Sequence, residues 1–173
     1  MIHSHSRRKG WVGVRAMPTI RVQVQDFDAG TESALLRAGN PRIGAIASFV
    51  GLVRDINDGS SVSGMTLEHY PGMTEKALAE IVEQARANWE VLDCTVIHRV
   101  GVLKPMDQIV LVIVASGHRG DAFKACEFIM DYLKTQAPFW KKEQTTDGER
   151  WVEARDSDDS ATSRWRAELK SGQ

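Results

Sequence analysis

Cysteine is nearly absent from this 173-residue chain: Cys94 and Cys126 are the only two. They are too few for a disulfide framework and lack the paired spacing of a zinc site, so both read as buried, reduced, small apolar residues and no metal is predicted. Long apolar runs are missing as well. No stretch approaches the ~20 residues of a membrane span, and the basic start is not followed by the apolar segment and cleavage site of a secretion signal. A bias of charge is also lacking. The 22 basic and 23 acidic residues give a formal net charge of −1, which excludes bulk attraction to nucleic acid or an anionic membrane and leaves only local anion sites. There is no phosphate loop, dinucleotide fingerprint, nucleophile elbow or internal repeat. These absences predict a cytoplasmic globular protein of one domain, long enough to bury a real core.

The ends differ from the middle. Residues 1–17 are rich in His, Ser, Arg and Lys without periodicity and read as a disordered extension; Met17 is the expected true start. The segment Thr19-Ile-Arg-Val-Gln-Val-Gln25 alternates apolar and polar residues as a half-buried strand does. Order is therefore expected over 18–156. Residues 157–173 read as a mobile tail with a short helix over Arg164–Lys170.

Between the ends, strand and helix signals alternate. Ile43–Val53 is apolar and β-branched, Asn57-Asp-Gly-Ser60 is a turn, and Val62–Tyr70 is a strand, so the spacing predicts a hairpin. Ala77, Leu78, Ile81, Val82, Ala85 and Trp89 recur at helical spacing over Thr74–Trp89, with Thr74 as N-cap. Strands are predicted over Cys94–Val100 and Ile109–Ser116, and a second helix over Asp121–Leu133 with Phe123, Cys126, Ile129, Met130 and Leu133 inward. Trp140–Glu143 and Arg150–Ala154 close the pattern as a hairpin around Asp147-Gly148. The order β-β-β-α-β-β-α-β-β implies an α/β sandwich (α+β) with a mixed, mainly antiparallel sheet.

Three constellations could carry chemistry. Gly51-Leu-Val-Arg54 sets a guanidinium at a strand end, where it can grip a phosphate or carboxylate or simply reach solvent. Ser116-Gly-His-Arg-Gly-Asp121 lies at a strand-to-helix junction, so His118, Arg119 and helix N–H groups could meet an anion; otherwise Ser116 or Asp121 only caps the helix. Asp131-Tyr-Leu-Lys-Thr-Gln-Ala-Pro-Phe-Trp-Lys-Lys-Glu143 sets Lys134, Lys141 and Lys142 around Pro138 and large apolar residues. An amine is a nucleophile only when unprotonated, and desolvation or neighbouring cations raise that fraction. His98 sits among apolar strand residues and reads as structural. Glu68 and His69 are adjacent in a strand and point to opposite faces, which excludes a shared metal.

Taken with Leu67-Glu-His-Tyr-Pro-Gly-Met-Thr-Glu-Lys-Ala77, Val96-Ile-His-Arg-Val-Gly101 and Trp151-Val-Glu-Ala-Arg155, these segments closely resemble the large, catalytic subunit family of molybdopterin synthase, in order over residues 19–160. The resemblance implies an α/β hammerhead fold with a small β subdomain and a sulfurtransferase of molybdenum cofactor biosynthesis. Such enzymes convert cyclic pyranopterin monophosphate to molybdopterin. They take sulfur from the thiocarboxylated C-terminal Gly-Gly of a small ubiquitin-like subunit, within a heterotetramer built on a dimer of large subunits, and no cofactor is implied. It further implies that Lys134 and Lys141 are catalytic, and that Leu52, Val53, Arg54, His118, Arg119, Lys142 and Glu143 join them at the substrate. Arg155 is a further candidate. Leu52 and Gln136 stand where relatives often carry basic residues, and Gly117 where alanine is common. The rival reading is a noncatalytic scaffold that docks a ubiquitin-like sulfur carrier or senses a phosphorylated ligand. A pure scaffold would not need both lysines.

Overall fold

The structure, a computed structural model, describes residues 16–57, 59–152 and 156–171. In chain order the elements are β1 (Thr19–Gln23), α1 (Ala29–Arg37), β2 (Ala45–Leu52), β3 (Ile56–Asn57), β4 (Ser60–His69), α2 (Met73–Asn88) and β5 (Asp93–Arg99). They continue with β6 (Gly101–Leu103), β7 (Gln108–Ser116), α3 (Arg119–Gln136), β8 (Phe139–Thr145), β9 (Gly148–Val152) and α4 (Asp156–Ser171). Two sheets result. The first runs β1-β5-β7-β2, with β1 parallel to β5 and the other neighbours antiparallel; the second runs β3-β4-β8-β9, with β6 also on β4. The mixed, mainly antiparallel α+β architecture expected from the element order is present.

Period-two alternation decides how the first sheet is covered. On β5, Cys94 and Val96 face one way with Val110, Val112 and Val114 of β7, and α2 and α3 bury that face through Leu78, Ile81, Ala125 and Ile129. Ile97, Leu111, Ile113 and Ala115 face the other way, onto Phe27 and Leu36. A β7 buried on both faces explains its unbroken apolar run, Ile-Val-Leu-Val-Ile-Val-Ala. Burial also pushes the Cys94 thiol up and raises that of Cys126 to about 11, with Glu127 adding to the latter, so both stay protonated at neutral pH.

Several elements correct the sequence reading. The predicted hairpin between Ile43–Val53 and Val62–Tyr70 does not form: β2 pairs with β7, and β4 folds back only on the two-residue β3 around Gly59, whose φ is +77°. The longer partners of β4 are β8 and β6, far along the chain. Helix α2 is capped by Gly72 rather than Thr74; Gly72 N donates to Glu75 Oε2 at 2.7 Å, while Thr74 Oγ1 donates back to the Tyr70 carbonyl at 3.0 Å. Phe123 is not an inward residue but 66% exposed. The buried stripe of α3 instead includes Ala122, Phe128 and Tyr132, because a second layer, α4, covers its flank. The C-terminal segment, expected as a loose tail with a short helix, is a helix from Asp156 to Ser171. Its Trp165 is buried against Trp89 and Phe128, with Nε1 donating to Asp131 Oδ2 at 2.7 Å. The N-terminal extension, apart from its last two residues, lies outside the described residues.

Candidate active site

A cleft of about 850 Å³ opens where the ends of β2, β5 and β7 meet the C-terminal turn of α3 and the inner face of the second sheet. Its lining includes Arg54, Lys134, Lys141 and Glu143 together with Phe49, Leu52, His98 and Phe139. Each charged group is delivered by a different piece of local structure. Lys134 rides the last turn of α3, where the helix carbonyl ends favour a cation. Ala137 caps the helix and Pro138 comes next, and β8 then turns the chain back along β4. Lys141 and Glu143, two residues apart on β8, point to the same side by the strand period.

Glu143 is the anchor of the site. Its side chain is 1% exposed, yet it accepts from Asn57 Nδ2 at 2.7 Å, from Lys141 Nζ at 2.8 Å, and from Arg150 Nη2 at 3.1 Å. Burial alone would push this carboxyl up; Lys141, Arg150 and Asn57 outweigh it and hold the pKa below the ordinary value. Asn57 Oδ1 in turn accepts from Arg54 Nη2 at 3.2 Å. One buried carboxylate thus fixes two cations directly and a third through an amide. Gly51 keeps the mouth open: a Cβ there would lie 2.8 Å from Val110 Cγ1 and 3.4 Å from the Phe49 ring.

His98 closes the inner end of the cleft. Its Nδ1 lies 2.8 Å from the Arg99 carbonyl oxygen, and its ring stacks on Phe139 at 3.7 Å between centroids. Burial lowers its pKa to about 4, opposed in part by the Arg99 hydrogen bond and reinforced by His69, so the ring is neutral at pH 7.

Not every sequence candidate reaches this cleft. Val53 is 3% exposed in a core with Met65, Leu67 and Leu103, and its backbone N–H and carbonyl are taken by Asp107 and Met106. It supports Arg54 from behind. Lys142 points away from Lys141 by the strand alternation, pairing with Glu149 at 3.0 Å and lying over the Trp151 ring. His118 and Arg119 are exposed at the opposite end of α3 from Lys134, about 22 Å away at ~1.5 Å rise per residue. Of the proposed caps, Ser116 Oγ accepts from the His118 N–H, whereas Asp121 accepts from Glu90 N. Arg155 lies outside the described residues. Sequence reasoning missed Asn57, read only as a turn residue, and Arg150, read only as part of a strand; His98, read as structural, lines the cleft.

The chain as a whole has counterparts among known proteins. The MoaE protein family matches residues 22–136. The chain belongs to this family. A molybdopterin synthase catalytic subunit from Ralstonia nicotianae is 71% identical over 149 residues, spanning 86% of this chain and 85% of that one. Its counterpart from Pseudomonas aeruginosa is 58% identical over 146 residues, spanning 84% of this chain and 97% of that one. Among solved MoaE structures, the molybdopterin biosynthesis MoaE protein from Burkholderia ambifaria superposes with a TM-score of 0.75 at 60% identity, over 86% of this chain and 98% of that one. The two-sheet architecture is therefore that of MoaE proteins, and the matched region carries Arg54 and Lys134.

Proposed function

We propose that this chain is the catalytic subunit of a molybdopterin synthase, acting in molybdenum cofactor biosynthesis as a sulfurtransferase on cyclic pyranopterin monophosphate. The observation that carries the reading is the convergence of Lys134, Lys141 and Arg54 on one cleft whose inner end is apolar and aromatic. A phosphorylated pterin asks for that pairing: cations for its phosphate and a flat apolar floor for its ring. The sulfur comes from the thiocarboxylated tail of a small ubiquitin-like subunit. As the thiocarboxylate sulfur bonds to a substrate carbon and a substrate oxygen departs, negative charge grows, and water then cleaves the acyl carbon–sulfur bond, which frees the carrier's carboxylate and leaves the sulfur on the substrate; positioned ammonium groups stabilise the charge, each such contact being worth ~3 kcal/mol in comparable sites. Lys134, at the exposed mouth, is assigned to the reacting sulfur. Lys141, held by Glu143, is assigned to substrate charge.

His118 and Arg119 cannot join the same chain's cleft from the far end of α3. If they bind substrate, they do so in the cleft of a second copy, which fits a central dimer of large subunits. Reconstitution tests the whole reading: this protein, a thiocarboxylated small subunit and cyclic pyranopterin monophosphate should yield dithiolene product, followed as its oxidised fluorescent derivative. A stable complex with the small subunit that makes no product, beside a control synthase that does, would leave a scaffold.

A further inference from the structure

His98 differs from the cations of the cleft in offering an acceptor where they offer donors, and it differs from Glu143, whose carboxylate is taken up by Asn57, Lys141 and Arg150. The Arg99 carbonyl can only accept, so the hydrogen of the neutral ring sits on Nδ1. Nε2 is then a bare lone pair. It has no hydrogen-bond partner among the described residues, and unlike His69 Nδ1 it is not sealed from solvent. His98 lines the cleft, and Nε2 is the ring nitrogen left available to a molecule bound there. The stack on Phe139, with 19° between ring planes, and the bond to Arg99 fix the direction in which it points.

Resting on the synthase reading above, we propose that His98 Nε2 accepts a hydrogen bond from a ring N–H of the bound pterin and so sets which way round the heterocycle lies. Lys134, Lys141 and Arg54 can hold a phosphate but cannot distinguish the edges of a ring that carries both donors and acceptors. An acceptor locked at the inner end can. It turns a generic anion cleft into one selective for a heterocycle with a donor on the edge facing the β5 end. His98 is a substrate-binding residue in this account, with no proton transferred.

The test compares two substitutions in the complete complex with the small subunit. In His98→Asn the amide can still donate to the Arg99 carbonyl, but the Nε2 acceptor is gone. In His98→Gln an amide oxygen can take the Nε2 place. The expected result is a KM for the pterin raised about tenfold in His98→Asn with kcat within twofold of the parent, and a KM restored toward the parent in His98→Gln. Unchanged KM in a folded His98→Asn would overturn the proposal, as would equal losses in both variants that track thermal stability. A second arm uses only the unmodified complex: oxidised pterin monophosphates, with and without methylation of the ring N–H groups, serve as competitive inhibitors. Methylation should weaken inhibition about tenfold, and equal inhibition would overturn the proposal even if both variants misfold. Failure of the synthase reading is seen separately, as absence of product from the unmodified complex, and it would remove this inference with it.

Discussion

Asn57 Nδ2 donates to Glu143 Oε1 at 2.7 Å across 86 positions of sequence, and the same oxygen accepts from Lys141 Nζ at 2.8 Å. Removing the carboxylate strands an amide and two cations at once. Glu143→Ala should cost about 3 kcal/mol in urea unfolding, toward the lower end for a broken buried pair because Lys141 and Arg150 are each about one-third exposed. Glu143→Gln, which keeps an acceptor for Asn57, should cost less. The pH dependence has a definite sign. Because the folded pKa lies below the ordinary 4.5, the advantage over Glu143→Gln is complete above that value and shrinks as pH falls through the lower folded pKa.

The two lysines should separate in their side effects. Lys134→Ala is expected to lower turnover by about a thousandfold with little change in melting temperature, since its side chain stands at the exposed mouth. Lys141→Ala should lower both turnover and melting temperature, because Glu143 loses a partner. Steady-state kinetics beside thermal melts would check this, and near-parental turnover in Lys134→Ala would defeat the catalytic assignment.

Mixed assemblies test where His118 and Arg119 act. Complexes carrying only Lys134→Ala, or only Arg119→Ala, should be poorly active. Co-assembled with one copy of each, an assembly with exchanged residues should recover up to about half of parental activity when scored by turnover at limiting substrate. No recovery in verified mixed assemblies would confine Arg119 to another role.

His98 should make the fold acid-sensitive before the carboxylates do. Its folded pKa of about 4 lies below the ordinary 6.5, so the unfolded chain binds the extra proton between those values. Stability is complete above pH 6.5 and declines toward pH 4, by up to about 3 kcal/mol if the full shift is expressed. His98→Phe, which keeps an aromatic face against Phe139, should flatten that slope in denaturant titrations at stepped pH.

Trp165 ties the C-terminal helix to α3. Trp165→Ala should destabilise the protein by about 3 kcal/mol, and combined with Asp131→Ala the losses should fall short of additive, since the two share one hydrogen bond.

The sequence carried the long periodic elements and the cation-bearing segments, because those depend on local pattern and charge. Helix α1 escaped notice although Asp28 caps it, accepting from the Thr31 N–H, and Arg21 pairs with its Glu32; Gly30, Thr31 and Ser33 dilute its helical signal. The partner of Glu143 was hidden by a register of two positions. The turn centres on Thr146-Asp147 rather than Asp147-Gly148, which sets Glu143 opposite Arg150 where the expected turn sets it opposite Val152, so an apolar residue stood where the guanidinium lies. Asn57 could not be found from spacing, because its partner lies on a strand brought in by tertiary pairing. Phe128 and Tyr132 make sense only once α4 is in place.

Strand β4 has a consequence for the growing chain. Its long partner β8 arrives late: Leu67 pairs with Lys141 and Met65 with Glu143. On a ribosome, the first sheet can close through β7 and receive α3 while β4 still has a bare edge, a template for pairing with another nascent chain. The cleft walls are therefore among the last parts to come together, and a truncation before β8 would leave a layered core with no place for a substrate and an edge prone to aggregate.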